Sequence, residues 1–272
     1  MEIARPETCL FNGMESSPPL SLELAVVMPV YNEAANIAGV LREWFGCLRI
    51  VCPNFIVFVV NDGSRDETAN ILVSLQNELG CRLRVTNKPN AGHGLACREG
   101  YQLALTEDPE WVFQIDSDGQ CDPAFFPTLY RNRINCDCVF GFRRTRADGF
   151  GRLIVSKCCR LAAWLMTGTD LVDANVPYRL MRASTVRKAL RSVPADFELQ
   201  NVGLAFALKK QPNVIWKYLP IHFRARRGGE NSINYRKIVR MGFRLLRDFR
   251  RLIHEDSDTW RRSRWARGRV AS

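Results

Sequence analysis

Residues 111–120 read WVFQIDSDGQ, a short apolar run that ends in two carboxylates and an amide. The run Trp111–Ile115 has the length and the apolar character of a strand buried within a sheet. Asp116 and Asp118 follow directly, at the strand end where open α/β folds bind their ligands. With the amide oxygen of Gln120, these carboxylates make a hard oxygen site suited to Mg²⁺ or Mn²⁺ bridging to phosphate.

Three segments upstream have the same character as this strand. Each is a short apolar run followed by apolar residues at helical spacing. We therefore predict strands at residues 24–30, 55–60, 83–86 and 111–115, and helices at about 37–48, 71–79 and 95–105. Asn32 is the expected N-cap of the first helix, and Ser64-x-x-Glu67 is the expected capping box of the second. The alternation of strands and helices indicates a parallel sheet with right-handed crossovers.

This strand order has a positional consequence for five residues. The carboxyl ends of parallel strands meet at one edge of a sheet. Tyr31, Glu33, Asp62, Asp116 and Asp118 each follow one of the predicted strands. They should therefore gather along one edge, although they are far apart in the sequence.

Several other kinds of site are excluded by their spacing. Gly92–Cys97 only half resembles a dinucleotide-binding fingerprint, and it follows the third strand instead of the first. No Gly-Lys-Ser/Thr follows a glycine-rich loop, so a P-loop is absent. An EF-hand loop counted from Asp116 would need Gly where Cys121 stands and Glu where Pro127 stands. Zinc is not expected, because there is no Cys-x-x-Cys and there are only 3 histidines.

Length and cysteine usage set broad limits on the protein. A chain of 272 residues can form one large or two small domains with a buried core. Its 10 cysteines are scattered and no secretory signal precedes them, which favours a reduced, cytosolic compartment. Residues 1–21 are predicted to be a flexible, solvated tail. No apolar run approaches the ~20 residues that a membrane-spanning helix needs.

The net charge of +11 is concentrated near the C-terminus. Residues 236–272 hold twelve Lys and Arg against four Asp and Glu, a balance of +8, so the first 235 residues carry only +3. Apolar residues between positions 238 and 253 are interspersed with basic ones, which predicts an amphipathic helix with a basic face. Such a helix binds anionic membrane surfaces. The alternative is a helix that packs on the preceding domain and leaves its basic face in solvent.

Four motifs, in order, resemble those of family 2 glycosyltransferases. They read VMPVYNE at 27–33, VNDGSRDET at 60–68, NAGHG at 90–94 and DSDGQ at 116–120. The resemblance is closest to polyprenyl-phosphate sugar synthases, including dolichol-phosphate mannose synthases, and covers roughly residues 23–250. It implies an α/β fold of the GT-A type over residues 22–235, with a mostly parallel sheet flanked by helices, followed by the basic amphipathic segment 236–272.

The resemblance implies a nucleotide site built from the first three motifs. Pro29, Tyr31 and Glu33 would line the nucleotide, with Glu33 toward the ribose or the base. Asp62 would accept a hydrogen bond from the edge of the base. His93 stands where many relatives carry Lys, so it is expected either as a phosphate contact or as a structural residue.

The fourth motif implies a metal site. Asp116 would lie near the ribose and the metal, while Asp118 and Gln120 would ligate Mg²⁺ or Mn²⁺ on the diphosphate. Such a metal neutralises the charge that develops on the leaving nucleotide diphosphate.

Later residues match the family's acceptor side. Arg143 and Arg152 would meet phosphates of the donor or of a lipid acceptor, for which a guanidinium fork is well suited. Glu198 would lie near the acceptor, and it need only orient groups if that acceptor is already a phosphate anion. Arg226 lies in a segment that resembles the family's Arg-x-x-Gly-x-Ser loop over the diphosphate, with Asn231 in place of Ser.

The function implied by the resemblance is inverting transfer of a sugar from a UDP- or GDP-sugar to a polyprenyl phosphate. The enzyme would act at the cytoplasmic membrane face, held peripherally on an anionic surface or by a separate membrane-spanning partner. One alternative is a GT-A transferase that acts on a soluble, polysaccharide or protein acceptor. A basic nucleic-acid-binding protein is a further alternative, but it would leave the metal motif unexplained, so no nucleic-acid partner is expected.

Overall fold

The computed structural model describes residues 21–143, 176–195, 197 and 199–224. In this part of the chain seven strands form one sheet: β1 (Leu24–Val30), β2 (Phe55–Asp62), β3 (Leu83–Lys88), β4 (Trp111–Ile115), β5 (Cys138–Arg143), β6 (Tyr178–Arg182) and β7 (Trp216–Ile221). The α-helices described are α1 (Ile37–Val51), α2 (Thr68–Leu79), α3 (His93–Thr106), α4 (Phe126–Arg131), α5 (Ala183–Ser192) and α6 (Gln200–Lys210). Short 3₁₀ helices lie at Gly80–Arg82 and Pro123–Phe125.

The sheet is parallel except for one strand. Its spatial order is β3-β2-β1-β4-β6-β5-β7. β6 runs antiparallel to both of its neighbours, β4 and β5, while the other adjacent strands pair in parallel. The six strands other than β6 therefore share one direction, and their carboxyl ends lie at the same edge of the sheet.

The four strands predicted from the sequence are confirmed, and two of them are longer than predicted. β2 and β3 each continue for two further residues, because their polar ends remain in register, with Asn61 opposite Asn87 and Asp62 opposite Lys88. Asp62 is therefore the last residue of a strand and not part of the turn that follows. This fixes its backbone more firmly than a loop would.

Both predicted helix caps are wrong. α1 begins at Ile37 with Asn36 as its N-cap, and the Asn32 side chain instead accepts a hydrogen bond from the backbone amide of Arg65. α2 begins at Thr68, and Ser64 does not cap it. The physical reason is the same for both: these side chains join neighbouring loops to each other instead of closing their own helix.

An aromatic cluster supports the strand that carries the two central carboxylates. Phe113 of β4 lies 5.5 Å from Trp44 of α1, 4.8 Å from Phe126 of α4 and 5.1 Å from Tyr178 of β6, measured between ring centroids. All four rings are buried. Tilted and edge-on contacts of this kind add to the stabilisation from burial alone. β4 is thus held rigidly on the α1 side of the sheet.

The predicted terminal segments lie outside the described residues. This applies to all of the predicted tail except residue 21, and to the whole basic segment 236–272. Within the part of the chain that is described, no helix has both the length and the apolar character needed to cross a membrane.

Candidate active site

A cleft of about 390 Å³ lies at the carboxyl edge of the sheet. That volume is in the range of small-molecule sites. The cleft is formed by the ends of β1, β2 and β4 and by the start of α3, and it is lined by Pro29, Val30, Tyr31, Glu33, Asp62, Asn90, Gly92, His93, Ala96, Asp116, Ser117 and Asp118. Seven residues predicted from the sequence are among them, which confirms that the strand ends bring these motifs together.

The loop after β1 forms one wall of the cleft. Pro29 is near the end of the strand, and the Tyr31 side chain is 43% exposed at the cleft. Glu33 is mostly buried, and its Oε2 accepts a hydrogen bond from Asn36 Nδ2 at 2.8 Å. Between them, Asn32 has a φ of 53°, a left-handed conformation that Asn tolerates better than most residues. The chain therefore turns sharply between two residues that face the ligand space.

Asp62 organises the loop between β3 and α3. It is 2% exposed, and its Oδ1 accepts hydrogen bonds from Lys88 Nζ and the Ala91 amide, both at 2.9 Å. Its Oδ2 accepts from the Gly92 amide at 2.7 Å. Burial acts to raise the pKa of Asp62, but these donors outweigh it and hold the pKa below its usual range. Asp62 is thus an ionised carboxylate that lines the cleft and fixes Gly92 beside it.

The turn after Asp62 requires glycine. Gly63 has a φ of +69°, and a Cβ built there would lie 2.6 Å from the backbone nitrogen of Asn90. In turn, Asn90 Nδ2 donates to the carbonyl of Asp62 at 2.8 Å. The two loops therefore approach so closely that a side chain at position 63 would force them apart.

Asp116 and His93 lie next to each other in the cleft. The His93 Nε2 lies 3.7 Å from Asp116 Oδ1 and 3.6 Å from Cys97 Sγ. Cys97 and then Asp116 raise the pKa of His93. Burial raises the pKa of Asp116, and neighbouring Asp118 adds to that rise, whereas His93 opposes it. The raised pKa of Asp116 is therefore due first to its burial, and the charge of His93 offsets that rise only in part.

Asp118 and Gln120 differ in what surrounds them. Asp118 lines the cleft, and its Oδ1 accepts a hydrogen bond from the backbone amide of Gln120 at 3.0 Å. Gln120 is not among the residues that line the cleft, and its Nε2 donates to the carbonyl of Arg224 at 3.3 Å. The predicted role of Gln120 as a metal ligand stays a prediction.

Two arginines near Asp116 lie on strands of the sheet's second half. Arg143 ends β5, with its guanidinium carbon 4.3 Å from the centre of the Phe223 ring, and its charge lowers the pKa of Asp116. Arg179 of β6 is 0% exposed and also lowers that pKa. It donates to the Val176 carbonyl at 2.6 Å and to the Asn201 carbonyl at 2.8 Å. The charges of Arg143 and Arg179 therefore offset part of the rise in the pKa of Asp116.

Sequence reasoning assigned no role to Lys88, Arg179 or Arg224. Lys88 could have been found by the rule used for Asp62, because it too ends a strand at the ligand edge. Arg224 bonds Glu43 and Asp122 through its guanidinium group, and its amide donates to the Gln120 carbonyl at 2.9 Å. These contacts join segments far apart in the chain, and no local pattern signals them.

Three predicted site residues lie outside the described residues. They are Arg152, Glu198 and Arg226. Their predicted roles at the acceptor and at the diphosphate stay predictions.

The chemistry of the cleft fits a divalent cation whose coordination is completed by oxygen atoms of a bound ligand. Asp116 Oδ1 is buried, and no donor among the described residues hydrogen-bonds to it. The described residues include no group of three or more His, Cys, Asp or Glu side chains able to hold a metal ion. Mg²⁺ in particular is often bound by one or two carboxylates together with substrate phosphates and water. Asp116 and Asp118 match that pattern better than a closed protein cage.

Sequence comparisons connect the chain to a large family of transferases. It matches the model of the family described as "Glycosyl transferase family 2" over residues 25–193. One relative is "Undecaprenyl-phosphate 4-deoxy-4-formamido-L-arabinose transferase" of Pseudomonas paraeruginosa, 31% identical over 174 residues, which are 63% of this chain and 50% of the relative. Another is "Dodecaprenyl-phosphate galacturonate synthase" of Rhizobium johnstonii, 29% identical over 178 residues, 64% of this chain and 52% of the relative. The chain thus spans about half the length of these relatives.

Comparison with solved structures identifies the fold. Glucosyl-3-phosphoglycerate synthase from Mycobacterium tuberculosis, in complex with Mn²⁺, UDP and phosphoglyceric acid, superimposes with a TM-score of 0.61 at 19% identity, covering 85% of this chain and 78% of that one. Mannosyl-3-phosphoglycerate synthase from Rubrobacter xylanophilus gives a TM-score of 0.59 at 16% identity, covering 88% and 76%. The predicted GT-A fold is thereby confirmed.

Proposed function

The chain belongs to glycosyl transferase family 2, and from that premise we propose that it moves a sugar from a nucleotide diphosphate sugar to a polyprenyl phosphate, with inversion at the anomeric carbon. One observation carries the proposal. The cleft at the ligand edge of the sheet gathers Tyr31, Glu33, Asp62, Asp116 and Asp118 from three separate strand ends. An aromatic ring, hydrogen-bond acceptors and carboxylates able to bind a metal, all in one space of this size, suit a nucleoside diphosphate.

Within this cleft the proposed division of labour follows the geometry. The loop after β1 and Asp62 at the end of β2 bind the nucleoside end, because they lie on the β1 and β2 side of the carboxylates that follow β4. Asp116 and Asp118 hold a divalent cation, Mg²⁺ or Mn²⁺, whose chemistry when bound is to neutralise charge on the departing diphosphate. Arg143, at the end of β5, contributes further positive charge toward the phosphates.

The choice of acceptor rests on the relatives. Two of the most similar relatives are named for transfer or synthesis on undecaprenyl and dodecaprenyl phosphate. A phosphate acceptor is an anion at neutral pH and requires no strong general base. The cleft is consistent with this, since Asp62 is accounted for by loop anchoring, Asp116 and Asp118 by the cation, and Glu33 by the nucleoside end. Glu198 is proposed to orient the acceptor.

The place of action is proposed to be the cytoplasmic face of a membrane. The basic segment 236–272 would hold the enzyme peripherally on anionic lipid, alone or with a membrane-spanning partner. Each basic residue close to such a surface contributes about 1 kcal/mol, so a balance of +8 is ample for reversible binding.

Transfer by the full chain tests this function directly. UDP- and GDP-sugars are each incubated with Mn²⁺ or Mg²⁺ and with polyprenyl phosphate in bilayers, and sugar-lipid product is measured by mass spectrometry. We expect product with one nucleotide class, loss of product in EDTA, and an inverted anomeric configuration by NMR. A soluble phosphorylated acceptor serves as the matched alternative. Transfer to the soluble acceptor alone would replace the proposal of a lipid acceptor. If the protein binds neither UDP nor GDP, with or without metal, the proposed function is wrong.

A further inference from the structure

Two loops on the nucleotide side of the cleft are joined by an unusual set of hydrogen bonds. One loop, residues 31–36, follows β1, and the other, residues 63–67, follows β2 and leads into Thr68. Three consecutive backbone amides of the first loop donate to two side chains of the second loop and to the first residue of α2: Asn32 to Ser64 Oγ at 2.9 Å, Ala34 to Asp66 Oδ2 at 3.1 Å, and Glu33 to Thr68 Oγ1 at 2.9 Å. We call Ser64, Asp66 and Thr68 the loop clamp.

Thr68 is the centre of the loop clamp. It is 0% exposed, and besides accepting from Glu33 it donates through Oγ1 to Asp66 Oδ1 at 2.6 Å. Its own amide donates to the same Asp66 oxygen at 3.1 Å. One buried hydroxyl therefore connects the amide of a cleft residue to the carboxylate that holds the next amide. In a helix N-cap a side-chain oxygen accepts from an amide of its own helix, whereas Thr68 Oγ1 accepts from an amide of a different loop.

The loop clamp acts on a backbone segment that includes a residue in the left-handed conformation. Asn32 lies in the left-handed region, at φ 53°, between Tyr31 and Glu33. Backbone in this region persists only where its surroundings impose it. The loop clamp supplies that constraint through the Asn32 amide, and the backbone amide of Arg65 adds to it by donating to Asn32 Oδ1 at 2.8 Å. Tyr31 and Glu33 are thus set in place before any ligand arrives.

We propose that Thr68 is a positioning residue for nucleotide binding, acting through the backbone of Glu33. Thr68 is not among the residues that line the cleft, so its effect reaches the ligand only through the loop after β1. Preorganisation of this kind lowers the ordering cost of binding. The inference rests on the proposed function, because it assigns the nucleoside end of the donor to this wall.

The test is Thr68→Val, which keeps the shape of the side chain and removes both hydroxyl bonds. Calorimetric Kd values for UDP and GDP with Mn²⁺ are measured well below the melting temperature, together with donor KM and kcat. We expect the Kd of the nucleotide that binds, and the KM of its sugar donor, to rise on the order of tenfold. The kcat at saturating donor should change by less than about twofold, because the lost interaction is made equally in the ground state and the transition state. Thr68→Ser should restore most of the affinity.

Two comparisons separate positioning from general loss of structure. Thr185→Val removes a buried hydroxyl from α5, away from the cleft, and should leave the Kd unchanged even if the melting temperature falls. Ser64→Ala removes another member of the loop clamp and should raise the Kd in the same direction, which provides a measurement should Thr68→Val fold poorly. Thr68→Val should also cost less in a Glu33→Ala background than in the wild type.

The outcomes are distinguishable from failure of the proposed function. If the wild type binds neither nucleotide, the proposed function is wrong. If the wild type binds but Thr68→Val and Ser64→Ala bind equally well, the positioning role is wrong. A Thr185→Val effect as large as that of Thr68→Val, or strict additivity with Glu33→Ala, would also overturn it.

Discussion

Replacing Asp62 by Asn probes the carboxylate that holds the two ligand-side loops together. Asn keeps the size of the side chain but turns one acceptor oxygen into a donor. Asp62 receives three donors, two on Oδ1 and one on Oδ2. Either orientation of the amide therefore places an NH₂ group against at least one N–H donor, and Lys88 loses its counter-charge in a site where the pair is only 14% and 3% exposed.

The expected cost follows from these contacts. Removing one partner of a buried ion pair costs about 3–5 kcal/mol. Asn retains two of the three hydrogen bonds when its oxygen faces Lys88, which recovers about 1 kcal/mol. We therefore expect Asp62→Asn to lower the free energy of unfolding by about 2–4 kcal/mol at pH 7. The matched control is Asp108→Asn, whose carboxylate pairs with Arg187 but is 92% exposed. It should cost less than about 1 kcal/mol.

Urea unfolding between pH 7 and pH 3 measures the effect and tests its cause. Because the folded state lowers the pKa of Asp62 from 3.8, its stabilisation is complete above that value and is lost as the pH falls toward the lower, folded pKa. The difference between wild type and Asp62→Asn should therefore narrow below about pH 4. A loss smaller than about 1 kcal/mol at pH 7, or a difference that does not narrow in acid, would refute the reasoning. Nucleotide affinity should fall as well, while the affinity for metal changes little.

Three further substitutions or deletions test other parts of the protein. Asp118→Ala should lower kcat/KM by about a hundredfold or more and abolish the Mn²⁺ dependence of UDP or GDP binding, and near-normal turnover in EDTA would contradict it. Gly63→Ala should destabilise by about 2 kcal/mol or more in urea, because a Cβ would meet the Asn90 nitrogen at 2.6 Å, whereas Gly39→Ala, in α1 with no atom within 4 Å of the new Cβ, should be neutral or stabilising. Truncation after Tyr235 should end co-sedimentation with anionic liposomes but preserve nucleotide binding, and a full-length protein that ignores such liposomes would remove this support for a lipid acceptor.

Most of the cleft was predictable from the sequence because its lining depends on where the parallel strands end. A short apolar run in the sequence predicts a buried parallel strand. The residue that follows it must lie at the edge of the sheet where the carboxyl ends of the parallel strands meet. This rule placed Glu33, Asp62, Asp116 and Asp118 correctly. It also explains why β2 and β3 were predicted too short: polar residues such as Asn61 can remain within a sheet when a polar partner stands opposite.

The remaining features could not be read from local patterns. Asn32 and Ser64 have the chemistry of helix caps, and only the three-dimensional approach of two loops decides that each bonds the other loop instead. Arg179 looks like any strand arginine in the sequence, yet it is fully buried and its charge lowers the pKa of Asp116. The contacts of Arg224 with Glu43 depend on segments 181 residues apart. Long-range pairings of this kind are determined by tertiary packing, and no periodic pattern in the sequence indicates them.

The antiparallel strand β6 has a consequence for how such an enzyme can change over evolution. The chain leaves the sheet at Arg143, at the end of β5, and is described again from Val176, just before the neighbouring β6 begins. Both ends of the intervening stretch are therefore anchored side by side, and a replacement of different length can be spliced between them without shifting a strand. The residues that line the cleft all precede this point. We therefore expect that natural variation, or a designed chimaera, can replace residues 144–175 by a segment of another length without moving the strand ends that line the cleft.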